Sequence, residues 1–502
     1  MPRANLYRRL WLTGLALTLF LVTLIVGNSF LAPARAVRWN MLGYDFRALY
    51  IAGTFAREGR SAEFYDLKSV GDFDEKIARD HGLNLNQGIG PIFNPPFFAW
   101  IFAPLAGWPY PMALKIWYAI SLGCLLLSAG LLSISRVRFS GRNHSCSMGY
   151  QPMFFNSKHG LVAHATTDVL ADGALILLLM ATSLPAVQAL IHAQNTFLSL
   201  LILTCVVTFW RNGHALTTGI LAGLLFYKPQ LGAVVALAIM ATMGWRAAVG
   251  LAITGLSLLL LNLLILPGSL TDFFLKMPVN LRWLQEEHVY AWQRHATFLG
   301  FWRTLLQWHQ TGPTHLSVRL LTAAGMVMVA IGLGRVIWLI SRMQCNLKKV
   351  AWASRPCLLL LPKSMGETPM PPQNRSALKS EAIDPVIAAT LTAMPLLMPF
   401  YFDYDLLLLS IAAVLTATDF IRHGRDPKIF ADRWLPTAWV AFSIAMYLNL
   451  PITHLTHVSP LVPSLCGLSF LTLRRACHRL KNIANCELSP LSNDIIVSSC
   501  AA

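Results

Sequence analysis

Long apolar stretches separated by short polar ones set the rhythm of this chain. Apolar runs fall at roughly 10–31, 111–135, 168–185, 194–210, 214–227, 229–243, 246–266, 316–341, 384–401, 404–421, 434–451 and 460–473. A helix of about 20 apolar residues crosses a bilayer because it satisfies its own backbone polar groups where lipid cannot. The pattern predicts an all-α polytopic membrane protein with about twelve transmembrane helices. Some runs are short for a full span. At Lys228-Pro229 the proline removes a backbone donor, so the runs on either side are one broken helix or two half-spans.

The polar breaks carry orientation. Arg3, Arg8 and Arg9 precede the first run, and every second connection thereafter is basic: Arg136 and Arg138, Arg211, Arg246, Arg342 with Lys348 and Lys349, Arg422 with Arg425, Lys428 and Arg433, and Arg474, Arg475, Arg479 and Lys481. Short cytoplasmic loops retain Lys and Arg during insertion. The alternation predicts an even span count with both termini cytoplasmic, in a plasma (inner) membrane. A retained first helix fits it better than a signal peptide cleaved after Ala34 or Ala36.

Two long connections, 32–110 and 267–315, then lie outside. The first mixes acidic and basic residues and is expected to hold amphipathic interfacial helices. The second carries Trp283, Tyr290, Trp292, Trp302 and Trp308, rings suited to the headgroup region. The chain divides into first spans with an external loop (1–136), a polar cytoplasmic insertion (137–167), a membrane core containing the loop 267–315 (168–342), a second polar insertion (343–383), C-terminal spans (384–475) and a cytoplasmic tail (476–502). The insertions share a Met-Gly-x-x-Pro-Met fragment at Met148 and Met365 and read as intrusive segments with little role in activity.

Composition narrows the class. Of 502 residues, 55% are hydrophobic and 13% charged, with mean hydropathy +0.53, against about 25% charged residues in soluble domains. That excludes a soluble globular enzyme. The net charge of +17 does not point to nucleic acid, because its Lys and Arg fall in short clusters between apolar runs. Nine cysteines, none in an external loop, argue against a disulfide framework. No cofactor is implied, and no Cys-x-x-Cys or His-x-x-x-His pair supports a zinc site.

Polar groups in or beside the bilayer carry the candidate chemistry, since each is costly there. Asp45, in Gly43-Tyr44-Asp45-Phe46, follows the first span, so its carboxylate either meets a lipid headgroup or caps the helix expected from Phe46. Asn94-Pro95-Pro96-Phe97 sets backbone direction before the second span. Gln194 and Asn195 sit with His192 in a short external turn, where Asn195 is a candidate cap. Lys228 needs an anion, and a phosphate would satisfy it. Gly219-x-x-x-Gly223 permits close helix packing. Arg282, Arg294, His295 and Arg303 stand among the aromatics of the second loop, and Asp403, Tyr404 and Asp405 lie near a later span end. These are candidate phosphate and sugar contacts: guanidinium forks match phosphate, and imidazole adds a hydrogen bond or shuttles a proton.

As a set, Gly43-Tyr44-Asp45-Phe46 with Tyr50, Gly59 and Tyr65-Asp66, Asn94-Pro95-Pro96-Phe97 with Pro104-Leu105, Gln194-Asn195, Gly219 to Gly223 with Lys228-Pro229, and the patch around His295 resemble the polyprenol-phosphate-sugar-dependent membrane glycosyltransferases of family 87, the DUF2029 group. Ala193 stands where the family often has Gly. The resemblance covers roughly 40–420 and implies a bundle of the GT-C fold. It implies transfer of a hexose, commonly mannose, from a polyprenyl-phosphate donor to a lipid or glycan hydroxyl on the external face. Asp45 and His295 would be catalytic, with Asp45 the general base. Lys228, Arg294 and Arg303 would hold the donor phosphate; Tyr44, Gln194, Asn195, Asp403 and Asp405 would contact acceptor or sugar. No metal is needed, although a cation between Asp45 and Asp403 or Asp405 is compatible with the residues. The rival reading is a transporter or lipid flippase, for which paired broken helices near the midplane would be expected, whereas only one Lys-Pro break is evident. A non-catalytic scaffold leaves Asp45 unexplained.

Overall fold

The computed structural model describes residues 8, 11–23, 42–83, 90–140, 158–288, 290–308, 310–353, 373–424, 426 and 428–499. Among these the chain is helical throughout, with one isolated bridge pair, His295 with Phe402. Among the described residues five helical segments are long and apolar enough to cross a membrane, or six where a bent pair counts as one span. The five are α4 (Tyr110–Ser140), α10 (Trp245–Ile265), α13 (Leu316–Ala353), α15 (Leu409–His423) extended by the 3-10 turn Asp403–Leu408, and α16 (Phe430–Thr456). The bent pair joins α5 (Lys158–Ala181) to α6 (Leu184–His192) at 67°. The expected twelve are thus not all full spans. Shorter apolar helices carry five more of the runs: α1 (Trp11–Thr23), α7 (Thr196–Arg211), α8 (Ala215–Gly223) with its 3-10 extension to Tyr227, α9 (Pro229–Met243) and the end of α14 (Gln373–Ala393). The twelfth run falls in α17 (Leu461–Ser499), which is not among the candidate spans and runs on through the stretch expected as a tail. Within the polar insertions, 141–157 and 354–372 lie outside the described residues, while α4 and α5 reach into the margins of the first and α13 and α14 into those of the second.

Breaks, not span ends, position the site. Ser183 caps α6, Pro185 sits in its first turn, and Ala193 ends it with φ 50°. That left-handed conformation costs an L-residue roughly 1–2 kcal/mol, which explains why glycine is the easier residue there. The 3-10 turn before Lys228 and Pro229 in the first turn of α9 separate α8 from α9 as two helices. A third break, Met394–Leu397 followed by extended chain and the Asp403–Leu408 turn, separates α14 from α15. Irregular backbone at membrane depth survives only where protein or a cavity satisfies it.

The first external loop forms α2 (Tyr44–Arg57) and α3 (Leu67–His81). In α3 the buried residues Val70, Asp74, Ile77 and Ala78 recur at helical spacing, the expected amphipathic pattern. The second loop forms α11 (Ser269–Arg282) and α12 (Phe298–Gln307). Two apolar cores result. One lies within the bundle and includes Leu200, Val386, Leu408 and Leu465; the other joins α2, the 96–107 turns, the start of α4, Tyr227 and Phe273. Close approach of α8 and α10 rests on glycine: a Cβ on Gly219 would stand 2.1 Å from the Ala247 carbonyl oxygen, and one on Gly250 2.2 Å from that of Leu216.

Candidate active site

The seam between the two cores gathers polar residues from five distant parts of the chain. Gly43, with φ 75°, starts α2; its N–H donates to the Ile191 carbonyl at 2.9 Å, and its own carbonyl accepts from Tyr110 at 3.2 Å. These bonds tie the start of α2 to the end of α6 and to the start of α4. Asp45 lies in the first turn of α2, but Gly43 holds the N-cap position and no side chain caps the helix. The carboxylate turns instead to the α6–α7 connection. Gln194 Nε2 donates to Asp45 Oδ2 at 2.5 Å and contacts Tyr404 Oη at 3.1 Å; His192 Nδ1 lies 3.4 Å from the same Oδ2.

Two ion pairs flank this carboxylate. Arg294 grips Asp403 with Nε and Nη2, both at 3.0 Å, and its Nη1 donates to His192 Nε2 at 3.1 Å. Lys228 Nζ donates to Asp405 Oδ1 at 2.7 Å, an oxygen that also accepts from Thr196 at 2.7 Å. Tyr404 sits between the pairs, with Arg294 5.8 Å and Lys228 6.0 Å from its ring centre. Among the described residues Asp45 has no Lys or Arg partner and no donor bonded to Oδ1. It is also the most exposed of the three carboxylates, 29% against 11% for Asp403 and 13% for Asp405.

Neighbouring structure holds these groups in place. Asn94 Nδ2 donates to the Tyr227 carbonyl at 3.0 Å, and Phe98 stacks on the Tyr227 ring at 4.2 Å. The Pro-rich approach to α4 therefore anchors the residue before Lys228. Trp117 Nε1 donates to the Ala193 carbonyl at 2.9 Å, fixing the turn between His192 and Gln194. The Ala296 N–H donates to the Tyr401 carbonyl at 2.8 Å, joining the Arg294 segment to the Asp403 segment.

The structure thus brings together Asp45, Lys228, Arg294, Gln194, Asp403 and Asp405, all candidates from the sequence. It separates others. Arg303 is fully buried and donates to Gln307 and to the carbonyls of Gln310, Gly312 and Pro313; the folded-back loop occupies its fork, so it is a structural group and not a phosphate ligand. His295 is buried among Tyr290, Trp292, Phe400 and Phe402, and its Nε2 meets Tyr290 Oη at 3.0 Å. Burial, with the charge of Arg294 adding, pushes its pKa down to about 3. The ring therefore stays neutral, a poor proton shuttle, and serves as the wall behind Arg294. Tyr44 lies under Arg47, 4.7 Å from the guanidinium carbon. Asn195 stands at the N-cap of α7 without a capping bond, and its Oδ1 is buried with no partner.

His192, Tyr404 and Thr196 complete the network. The signal for His192 was its place two residues before Gln194 at a chain reversal; nothing in the sequence paired it with Arg294. Among the described residues no group of three His, Cys, Asp or Glu is placed to hold a metal ion.

A family model described as glycosyltransferase family 87 matches residues 93–362. No curated protein matches and no solved structure matches. The matched span contains His192, Gln194, Lys228 and Arg294, and the hydrogen bonds above tie to it the flanking Asp45, Asp403 and Asp405.

Proposed function

Because this chain belongs to glycosyltransferase family 87, and is accordingly a multi-pass membrane glycosyltransferase, we propose that it moves a hexose, mannose first among candidates, from a polyprenyl-phosphate donor to a lipid or glycan hydroxyl on the external face. Asp45 is the general base. The observation that carries this reading is the contrast among three neighbouring carboxylates: Asp403 and Asp405 are neutralised by Arg294 and Lys228, while Asp45 keeps an unengaged Oδ1. Transfer then runs as one displacement with inversion. The acceptor oxygen bonds to the anomeric carbon, the bond from that carbon to the phosphate oxygen breaks with its electron pair on the phosphate, and the hydroxyl proton passes to Asp45 Oδ1.

The leaving phosphate gains a negative charge in this step, so cations near it stabilise the transition state more than the ground state. Lys228 and Arg294 fit that task, with N–H groups left beyond those engaged by Asp405 and Asp403. The balance of two cations against three carboxylates favours a single-phosphate donor over a more highly charged diphosphate. On this reading both termini lie on the cytoplasmic side, the orientation that the basic connections support.

Membranes carrying the protein, incubated with labelled polyprenyl-phosphate hexoses and extracted, should transfer label to a new lipid or glycan. Asp45→Asn keeps size and shape but not the proton acceptor, so transfer should fall at least about a hundredfold at wild-type membrane abundance. Near-normal transfer by that variant would remove Asp45 from the mechanism. Movement of intact donor across the bilayer without product would replace the transferase reading with a carrier.

A further inference from the structure

Two donors converge on one oxygen of Asp45 from either side of a single residue. His192 ends α6, Ala193 turns the chain in the left-handed region, and Gln194 follows; His192 Nδ1 and Gln194 Nε2 both face Asp45 Oδ2, at 3.4 and 2.5 Å. Gln194 is an amide and can donate without further arrangement. An imidazole is ambiguous, because either ring nitrogen can carry the proton, and the partner on the far side decides which.

That partner is Arg294. A guanidinium has no acceptor, so at 3.1 Å its Nη1 must donate and His192 Nε2 must accept. The ring is then neutral, with its proton on Nδ1, and the one acceptor facing Nδ1 among the described residues is Asp45 Oδ2. Arg294 is itself held by two bonds to Asp403, whose Oδ1 also accepts from the Tyr404 N–H at 2.9 Å. The charged and titratable groups facing His192 are Asp45 on α2, Arg294 before α12, and Asp403 and Tyr404 before α15.

We propose that His192 is a positioning residue for the base, fixed by Arg294 as the Nδ1–H tautomer so that it and Gln194 hold Asp45 Oδ2 and present Oδ1 to the acceptor hydroxyl. This rests on the reading of Asp45 as general base. The contact of 3.4 Å is longer than a formed N–H···O bond, and such contacts tighten when substrate fills a site. Removing a donor from beside a carboxylate oxygen makes protonation easier in general, so loss of the His192 contact has a signature in the pH profile. His192 itself exchanges no proton with substrate: its basic nitrogen is occupied by Arg294.

The test compares pH profiles of kcat/KM for hexose transfer among wild type, His192→Phe, His192→Asn and His192→Gln, with Asp45→Asn as reference. The Asn amide can stand near the Nδ1 position, whereas the Gln amide reaches the Nε2 position. His192→Phe should lower kcat about tenfold, leave the donor KM within about twofold and move the acid limb up by about one pH unit. His192→Asn should return the limb towards wild type and recover several-fold of the rate; His192→Gln should keep the shifted limb. If the Phe variant does not insert, the Asn and Gln variants alone decide. A wild-type acid limb in all of them, or equal limbs for Asn and Gln, would overturn the proposal while Asp45→Asn remains inactive. An active Asp45→Asn would instead remove the base on which it rests.

Discussion

At the scale of single residues, the site is defined by which charges are already paired. Lys228 is engaged by Asp405 at 2.7 Å, with its side chain 12% exposed. Lys228→Met should lower kcat/KM for the donor by about tenfold or more, through kcat as well as donor KM, while acceptor KM changes little, because the lost contact of about 1.5 kcal/mol acts on the phosphate as it binds and as its charge grows; kinetics with the two substrates varied separately would check this. His295→Gln should leave the pH profile of transfer unmoved, since the buried ring is neutral across the working range; a lost pH limb would restore His295 as a proton carrier. Lys228 was legible in the sequence because an ammonium within an apolar stretch demands an anion. His192 was not, since its meaning comes from an arginine 102 residues away. Arg303 misled because an arginine among aromatics looks like a phosphate ligand, and only the return of the 310–313 loop shows carbonyls filling its fork.

At the scale of helices, small residues and prolines decide how elements meet and where they stop. The α8–α10 contact has no room for even one methyl at Gly250. Gly250→Ala should therefore cost about 1–3 kcal/mol through overpacking, read as a lower unfolding temperature in detergent, while Gly255→Ala on the same helix, where an added Cβ meets nothing within 4 Å, should be nearly silent. The Gly219-x-x-x-Gly223 spacing announced this contact, because close helix approach needs small residues at that interval. The number of full spans was not legible in the same way. Apolar runs report burial in lipid or protein alike, and α7, where ten of its sixteen residues are buried, reads like a span although protein surrounds much of it. Breaks without proline, such as Ala193 ending α6 in the left-handed region, leave no mark in hydropathy.

Across the whole molecule, charge is gathered at places far apart along the chain. Arg211 holds Asp384 with bonds of 2.6 and 2.8 Å, and Arg475 joins Asp419 on α15 to Asp432 on α16. Arg211, Arg422 and Arg475 all belong to connections assigned to the cytoplasm by their basic character. A tag near residue 150 or 370 should accordingly be shielded from impermeant reagents in intact cells and one near 75 labelled; labelling at 370 would reverse the orientation. The pair between Lys228 and Asp405 also sets a schedule for biogenesis. Its members are 177 residues apart, a distance a ribosome covers in roughly 10–35 s at 5–20 residues per second. During that interval the nascent chain holds an ammonium without its carboxylate, and the Arg294 fork waits over the 109 residues to Asp403, roughly 5–22 s at the same rate. The insertion machinery therefore handles an ammonium and a guanidinium without their carboxylates until the segment around residue 405 emerges, and both ion pairs close only after about four-fifths of the 502 residues have been made.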